Sequence, residues 1–121
     1  MSKLNIQNWL SKLSETVKNN DFENHMALFS ENLASYDKAN GISQNYYNWR
    51  NQRQTEFQSG LLKNISYDKL SIKNIGLRRL TFRIEETLID SRNAQNTISK
   101  EIILEHEHDE QWRMVEETIK R

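Results

Sequence analysis

The clearest structural signal in the chain is LTFRIEETL at residues 80–88. Leu80, Phe82, Ile84 and Leu88 alternate there with polar residues. A period of two is typical of a β-strand that buries one face and exposes the other. This segment therefore predicts a strand in a sheet with one face covered.

The following residues continue the same pattern. TISKEIILEHEHDEQWRMVEET at residues 97–118 has Ile98, Lys100, Ile102 and Leu104 on one face. Short connections, SRNAQN at residues 91–96 and a turn at Asp109 and Glu110, separate the predicted strands, and strands joined so closely must run antiparallel. Before them, the segment from Ile65 to Ile72 predicts one more strand, with an irregularity in it.

The first half of the chain has helical spacing instead. Ile6, Trp9, Leu10, Leu13 and Val17 recur at intervals of three and four, which predicts an amphipathic helix ending at the two asparagines that follow.

Two more helices follow by the same reasoning. Asp21 is a predicted N-cap for a second helix, and a break is expected at residues 32–41. Ser43 is a predicted N-cap for a third helix that ends at Gly60. The sum is a single α+β domain over residues 1–121, with three N-terminal helices followed by an antiparallel sheet that folds over them to bury one face.

Charge and composition exclude several classes of protein. Seventeen basic residues balance seventeen acidic ones, so a nucleic-acid binder with a phosphate-neutralising basic surface is not expected. The absence of cysteine excludes disulfides, thiolate zinc sites and cysteine nucleophiles. The apolar runs are far shorter than the ~20 residues of a membrane span. No signal peptide is recognised in the sequence as written, which predicts a cytoplasmic location, or a periplasmic one if the chain is an excised domain of a cell-envelope protein.

Three segments carry a resemblance to a known family. GISQNYYNWRNQR at residues 41–53, LTFRIEETL at 80–88 and the hairpin at 97–118 resemble parts of the nuclear transport factor 2-like (SnoaL-like) superfamily. The variant they resemble most is the accessory domain found with L,D-transpeptidase and L,D-carboxypeptidase enzymes of the bacterial cell wall. The resemblance implies a cone of three helices enclosed by a curved sheet, with a pocket inside it. Ile84 and Glu86 differ from the Gln and Tyr usual in that variant.

A carboxylate inside the cone would be the most informative side chain. Glu116 is predicted to share the inner face of the last strand with Trp112 and Met114, whereas Glu117 is predicted to face outward. In an apolar cone a carboxyl group has a raised pKa and can act as a general acid or base. Its alternative role is structural, as the partner of Arg53 in a buried ion pair.

Aromatic side chains complete the predicted pocket. Tyr46, Trp49 and Arg53 lie on one side of the third helix, where rings beside a guanidinium suit a carboxylate or a sugar-like face. Tyr36 precedes that helix and is a candidate for the rim, and Trp112 is a candidate for the wall. Core packing of the rings, and a simple turn at Tyr36, are the alternatives.

Metal and cofactor chemistry have weaker support. His106 and His108 are two residues apart on a predicted strand, hence on one face, but a third ligand is not evident, so they are only weak metal candidates. No cofactor motif, phosphate loop or nucleophilic triad is found, and no cofactor is predicted.

Two classes of function fit these features. The favoured class is a non-catalytic module that binds a small polar or peptidoglycan-like ligand in the cone or dimerises through its sheet, as an accessory to cell-wall processing. The alternative is a small isomerase or dehydratase that uses one pocket carboxylate as general base. A homodimer is predicted because Ile103, Val115 and Ile119 are expected on the convex face of the sheet.

Overall fold

A computed structural model describes residues 2–120 and contains three helices and six strands. The elements follow the order α1 (Ser2–Lys18), α2 (Phe22–Met26), β1 (Phe29–Asp37), β2 (Ile42–Asn45), α3 (Tyr46–Ser59), β3 (Asn64–Ile75), β4 (Arg79–Ile89), β5 (Gln95–His106) and β6 (Trp112–Ile119). The helices pack against a curved, unclosed sheet with the strand order β2-β1-β6-β5-β4-β3. The predicted α+β cone architecture is confirmed.

The sheet is mixed, whereas a purely antiparallel sheet was expected. β1 runs parallel to β6, and every other neighbouring pair is antiparallel. The helices are also not all N-terminal to the sheet, because β1 and β2 separate α2 from α3. Parallel neighbours require a long connection, and here the connection is most of the chain.

The strand β1 occupies residues for which a break was predicted. Leu33 and Ser35 point inward from it, while Ala34 and Tyr36 point outward. Only one of the two inward residues is apolar, and the pairing with β6 is irregular between Phe29 and Ala34. Apolar residues therefore do not alternate along β1, so the sequence shows no strand pattern there. The prediction of a break was wrong.

The helix ends agree with the sequence at two positions and differ at a third. The Asp21 side chain accepts a hydrogen bond from the Asn24 backbone and caps α2. Gly60 ends α3 with a φ of 77°, a left-handed conformation that glycine adopts without strain. The N-cap of α3 is Asn45 and not Ser43, because Ser43 lies within β2.

One apolar core lies between the helices and the sheet. The five apolar residues predicted to line α1 are all buried, at 0 to 8% exposure. They meet Leu80, Phe82 and Ile84 from β4 and Ile102 and Leu104 from β5. The strand faces predicted for β4 and β5 are confirmed.

The last strand does not keep a simple alternation. Leu104 pairs with Met114, but the neighbouring Ile103 pairs with Glu116, so Val115 is an extra residue opposite the β5 strand. Such a β-bulge shifts the side-chain alternation by one position. Met114 faces the core as predicted, but beyond the bulge it is Glu117 that points inward, with 1% of its surface exposed.

Candidate functional site

Four charged side chains are buried together between α3 and the sheet. Arg53, Glu86, Lys100 and Glu117 form this charge cluster, and each is 6% exposed or less. Arg53 comes from α3, and the other three come from β4, β5 and β6. Burial of four ionised groups is costly unless they are paired, so their contacts determine what the cluster can do.

Lys100 is the centre of the cluster. Its Nζ lies 2.7 Å from Glu117 Oε2 and 2.7 Å from Glu86 Oε1. The Ser35 hydroxyl donates a hydrogen bond of 2.7 Å to Glu117 Oε1. Glu117 is thus held by two partners. Glu86 Oε1 makes a close charge contact with Lys100, although its geometry is not that of a hydrogen bond.

These contacts keep the central pair ionised. Burial by itself would raise the pKa of Glu117, but the Lys100 ammonium and the hydrogen bonds from Lys100 and Ser35 lower that pKa below its ordinary value. Burial would likewise lower the pKa of Lys100, but Glu117 and Glu86 raise it overall. Opposite charges at hydrogen-bond distance each favour the charged form of the other.

Arg53 is bound less completely than Lys100. Its guanidinium lies over the Trp49 ring, with Cζ 4.4 Å from the ring centre. Its Nη1 is 3.6 Å from Glu56 Oε1, a charge contact longer than a hydrogen bond. Within residues 2–120, its buried Nε and Nη1 atoms have no hydrogen-bond partner.

The Tyr67 hydroxyl lies beside the same cluster. The residue is partly exposed, but its hydroxyl oxygen is buried and lacks a hydrogen-bond partner in the described part of the chain. Burial raises the pKa of Tyr67 well above its usual value, and the negative charge of Glu86 raises it further. The hydroxyl is therefore protonated at neutral pH, and Glu86 is the carboxylate to which it can donate.

A cavity of about 290 Å³ opens beside the charge cluster. We call it the α3 cavity. Trp49, Arg53 and Glu56 line it from α3, and Glu86, Lys100 and Glu117 line it from the sheet. Its size is just below the range of about 300–1,000 Å³ typical of small-molecule sites. Arg53, the side chain that carries the unfilled donors, therefore lines a space that a small ligand can enter.

A larger surface groove of about 810 Å³ lies elsewhere, but several of its charged side chains are already paired. Arg50 contacts Glu23 at 3.2 Å, and Arg79 contacts Glu105 at 2.8 Å. Arg113 holds Asp109 at 2.8 Å. Size alone therefore does not identify the functional site, and the α3 cavity is the better candidate because of its unfilled donors.

Two of the six predicted pocket residues line the α3 cavity, Trp49 and Arg53. Tyr46 lines the larger groove instead. Tyr36 lies on the outer side of β1, with 42% of its surface exposed. Trp112 is half-buried and stacks on His106 at 4.9 Å between ring centres.

The prediction for Glu116 was wrong. Glu116 is exposed, and the bulge at Val115 places Glu117 inside the cone in its place. The predicted partnership between Glu116 and Arg53 fails for the same reason. Ile119 also changes sides and lines the α3 cavity, although it was expected on the convex face.

The two histidines do not share a strand face. β5 ends at His106, and His108 lies in the turn beyond it, so the alternation on which the prediction rested has stopped. His106 Nε2 is 3.1 Å from Glu110 Oε2. Among residues 2–120 there is no group of three or more histidine, aspartate or glutamate residues placed to hold a metal.

Comparison with known proteins identifies the architecture. No protein-family model matches the sequence, and no curated protein does. A protein of unknown function from Shewanella oneidensis, described as NTF-2 like, superimposes with a TM-score of 0.82 over 100% of both chains, at 14% identity. The chain has the nuclear transport factor 2-like fold.

Two further structures with this fold agree. An NTF2-like protein from Cytophaga hutchinsonii gives a TM-score of 0.72 at 16% identity, with 95% of this chain and 93% of that one covered. An NTF2-like protein from Rhodospirillum rubrum, described as of unknown function in nutrient uptake, gives 0.74 at 14% identity, with 95% and 96% covered. These comparisons do not support the narrower link to the L,D-transpeptidase accessory domain.

Within the nuclear transport factor 2-like cone, the site contains residues that were not predicted as ligand-binding. Lys100 and Glu86 stand at inward positions of regular strands, so strand alternation could have identified them. Ser35 could not have been identified, since its strand was not recognised. Glu117 was excluded because its inward position depends on a bulge.

Proposed function

We propose that this protein is a binding module that takes a small polar ligand into the α3 cavity, with Arg53 as the main anchor. The observation that carries the proposal is the pair of unfilled donors, Nε and Nη1, on a side chain that is 7% exposed. A buried donor without a partner costs about 1 to 3 kcal/mol, and a ligand oxygen would recover that cost on binding. Trp49 holds the guanidinium plane from one side, which leaves its edge to receive the ligand.

What supports binding over catalysis is the state of the carboxylates. A general base that works near neutral pH needs a carboxyl pKa raised toward 7. The pKa of Glu117 is instead lowered, and Lys100 holds both Glu117 and Glu86 at 2.7 Å. An isomerase or dehydratase that uses a pocket carboxylate remains the second candidate. Turnover of a bound ligand, abolished by Glu86→Gln, would favour that candidate.

The test compares two arginines on the same helix. Arg53→Met removes the unfilled donors, whereas Arg50→Met removes an arginine that pairs with Glu23 outside the α3 cavity. Binding is measured by protein-observed NMR with propionate, alanine, D-alanyl-D-alanine and N-acetylmuramic acid, of which the last two test the cell-wall role.

We expect Arg53→Met to weaken the binding of every compound that binds the unsubstituted protein by at least about tenfold. Arg50→Met should leave binding unchanged. Loss of binding in both variants, or in neither, would contradict an anchor at Arg53.

We also propose a homodimer formed through the convex face of the sheet. Ile103 and Val115 lie on that face and are only half-buried. On the same face, Arg83 and Glu101 form an ion pair at 3.0 Å. The charges of these two side chains, which lie near the apolar residues, therefore balance each other. A two-fold dimer would cover the apolar residues without leaving a new surface open.

No helix among residues 2–120 is long and apolar enough to cross a membrane.

A further inference from the structure

Glu86, which lines the α3 cavity, has acceptor capacity left in addition to the unfilled donors of Arg53. Glu86 Oε1 is buried and makes no geometrically sound hydrogen bond within the described chain, although Lys100 Nζ is 2.7 Å away. A carboxylate oxygen has more than one lone-pair site, so one contact to an ammonium does not fill it. Arg53 supplies donors and Glu86 supplies an acceptor, and both line the same cavity.

The charges of the lining disfavour a simple anion. Two cations, Arg53 and Lys100, line the cavity together with the carboxylates of Glu56, Glu86 and Glu117, so these five side chains carry a formal charge of 2 − 3 = −1. A ligand with only a carboxylate would bring this total to −2 in a partly buried space. A ligand that also carries an ammonium group leaves the total at −1 and adds a favourable contact with Glu86.

The size of the cavity limits the ligand further. Its volume of about 290 Å³ lies just below the range typical of small-molecule sites. Such a space holds a compound with a few heavy atoms between its polar groups. It is too small for an extended peptide or an oligosaccharide.

We infer that the ligand of the α3 cavity is a small zwitterion, with a carboxylate bound by Arg53 and an ammonium group bound by Glu86. This inference rests on the proposed function and adds the chemical class of the ligand. In this arrangement the Arg53 donors receive the carboxylate of the ligand, and the ligand ammonium shares the Glu86 carboxylate with Lys100. Charge-assisted hydrogen bonds of this kind are about twice as strong as neutral ones.

The experiment compares amino acids with acids that differ only in the amino group. Alanine and β-alanine are each compared with propionate, and 4-aminobutyrate is compared with butyrate, by protein-observed NMR titration of the full chain. Because the three amino acids differ in the spacing of their charges, the series covers the distance between the two ends of the site. We expect at least one amino acid to bind about tenfold or more tightly than its matched acid.

Two variants test whether Glu86 causes the preference for the amino acid over its matched acid. Glu86→Gln should remove the preference for the amino acid, while the matched acid still binds in an Arg53-dependent way. Glu85→Gln, which changes the adjacent exposed-side glutamate paired with Lys69, should keep the preference. If Glu86→Gln does not fold, the comparison of ligands on the unsubstituted protein still tests the inference.

The possible outcomes separate the two proposals. Arg53-dependent binding of the acids with no preference for the amino acids would overturn the zwitterion and leave the binding module standing. A preference that persists in Glu86→Gln would also overturn it. Failure of every compound to bind would contradict both the zwitterion and the anchor at Arg53.

Discussion

At the scale of single residues, His25 is the buried side chain whose chemistry is most defined by its neighbours. It is 0% exposed and lies among aromatic rings, with its ring centre 4.9 Å from Phe57 and 5.2 Å from Phe29. The Thr16 hydroxyl donates to the Leu13 carbonyl at 2.9 Å and lies 3.0 Å from His25 Nδ1. A hydroxyl has one proton to donate, so His25 Nδ1 is the donor in that contact and Nε2 carries the lone pair.

This environment predicts a dependence of stability on pH. Burial, with a smaller contribution from the Arg53 charge, lowers the pKa of His25 from 6.5 to about 2. The unfolded chain therefore binds a proton below pH 6.5 that the folded chain does not. Neutral His25 contributes its full stability above pH 6.5 and loses it as the pH falls toward 2, at up to about 1.4 kcal/mol per pH unit.

Urea unfolding between pH 7.5 and 5.0 measures this slope. His25→Leu should remove most of it, whereas His108→Gln, at an exposed turn position, should keep it. The range stops at pH 5.0 because the lowered pKa of Glu117 adds a loss of the same sign near and below its ordinary value of 4.5. An unchanged slope in His25→Leu would show that another group titrates.

At the scale of elements, the bulge at Val115 decides which glutamate enters the cone. Before it, Met114 faces the core; after it, Glu117 does. Without the bulge, strict alternation would place Glu116 inside, and Lys100 would lose the carboxylate that it contacts at 2.7 Å. One extra residue therefore selects one of two adjacent identical side chains for the charge cluster.

The two glutamates test this assignment directly. Glu117→Gln should cost about 3 kcal/mol, at the lower end for a buried ion pair that loses one partner, because Lys100 keeps Glu86. Glu116→Gln should change the free energy of unfolding by less than about 0.5 kcal/mol, as for other exposed positions. Both variants are measured by urea unfolding at pH 7. A larger cost for Glu116→Gln than for Glu117→Gln would place the bulge elsewhere in β6.

At the scale of the whole molecule, an open sheet leaves a large convex face without a covering layer. The helices pack on the other side, and the edges are β2 and β3. Cross-strand ion pairs such as Arg79 with Glu105 occupy part of the convex face, and Ile103 and Val115 are half-buried there. This face is the surface of the proposed dimer.

Light scattering tests the dimer. We expect a mass twice the 14.5 kDa of one chain at micromolar concentration. Ile103→Lys should return the protein to one chain, because a lysine would be buried without a partner at the interface. Leu77→Lys, at a position 95% exposed between β3 and β4, is the control and should remain dimeric. A single-chain mass at high micromolar concentration would exclude the convex-face dimer.

The sequence by itself determined the features that depend on neighbours along the chain. The apolar stripe of α1, the buried faces of β4 and β5 and the left-handed end of α3 at Gly60 follow from local periodicity and from the conformational range of single residues. Lys100 could be placed on an inner face for the same reason, because β5 alternates without interruption from Ile98 to Leu104.

Only the tertiary structure decided the features that depend on distant parts of the chain. β1 pairs in parallel with β6, so Ser35 meets Glu117 across 82 positions of sequence. The bulge at Val115 exists in the pairing of β5 with β6, and neither strand alone displays it. A bulge that forms between two strands cannot be read from the alternation of either strand alone, so the sequence indicated Glu116 where the structure places Glu117 inside.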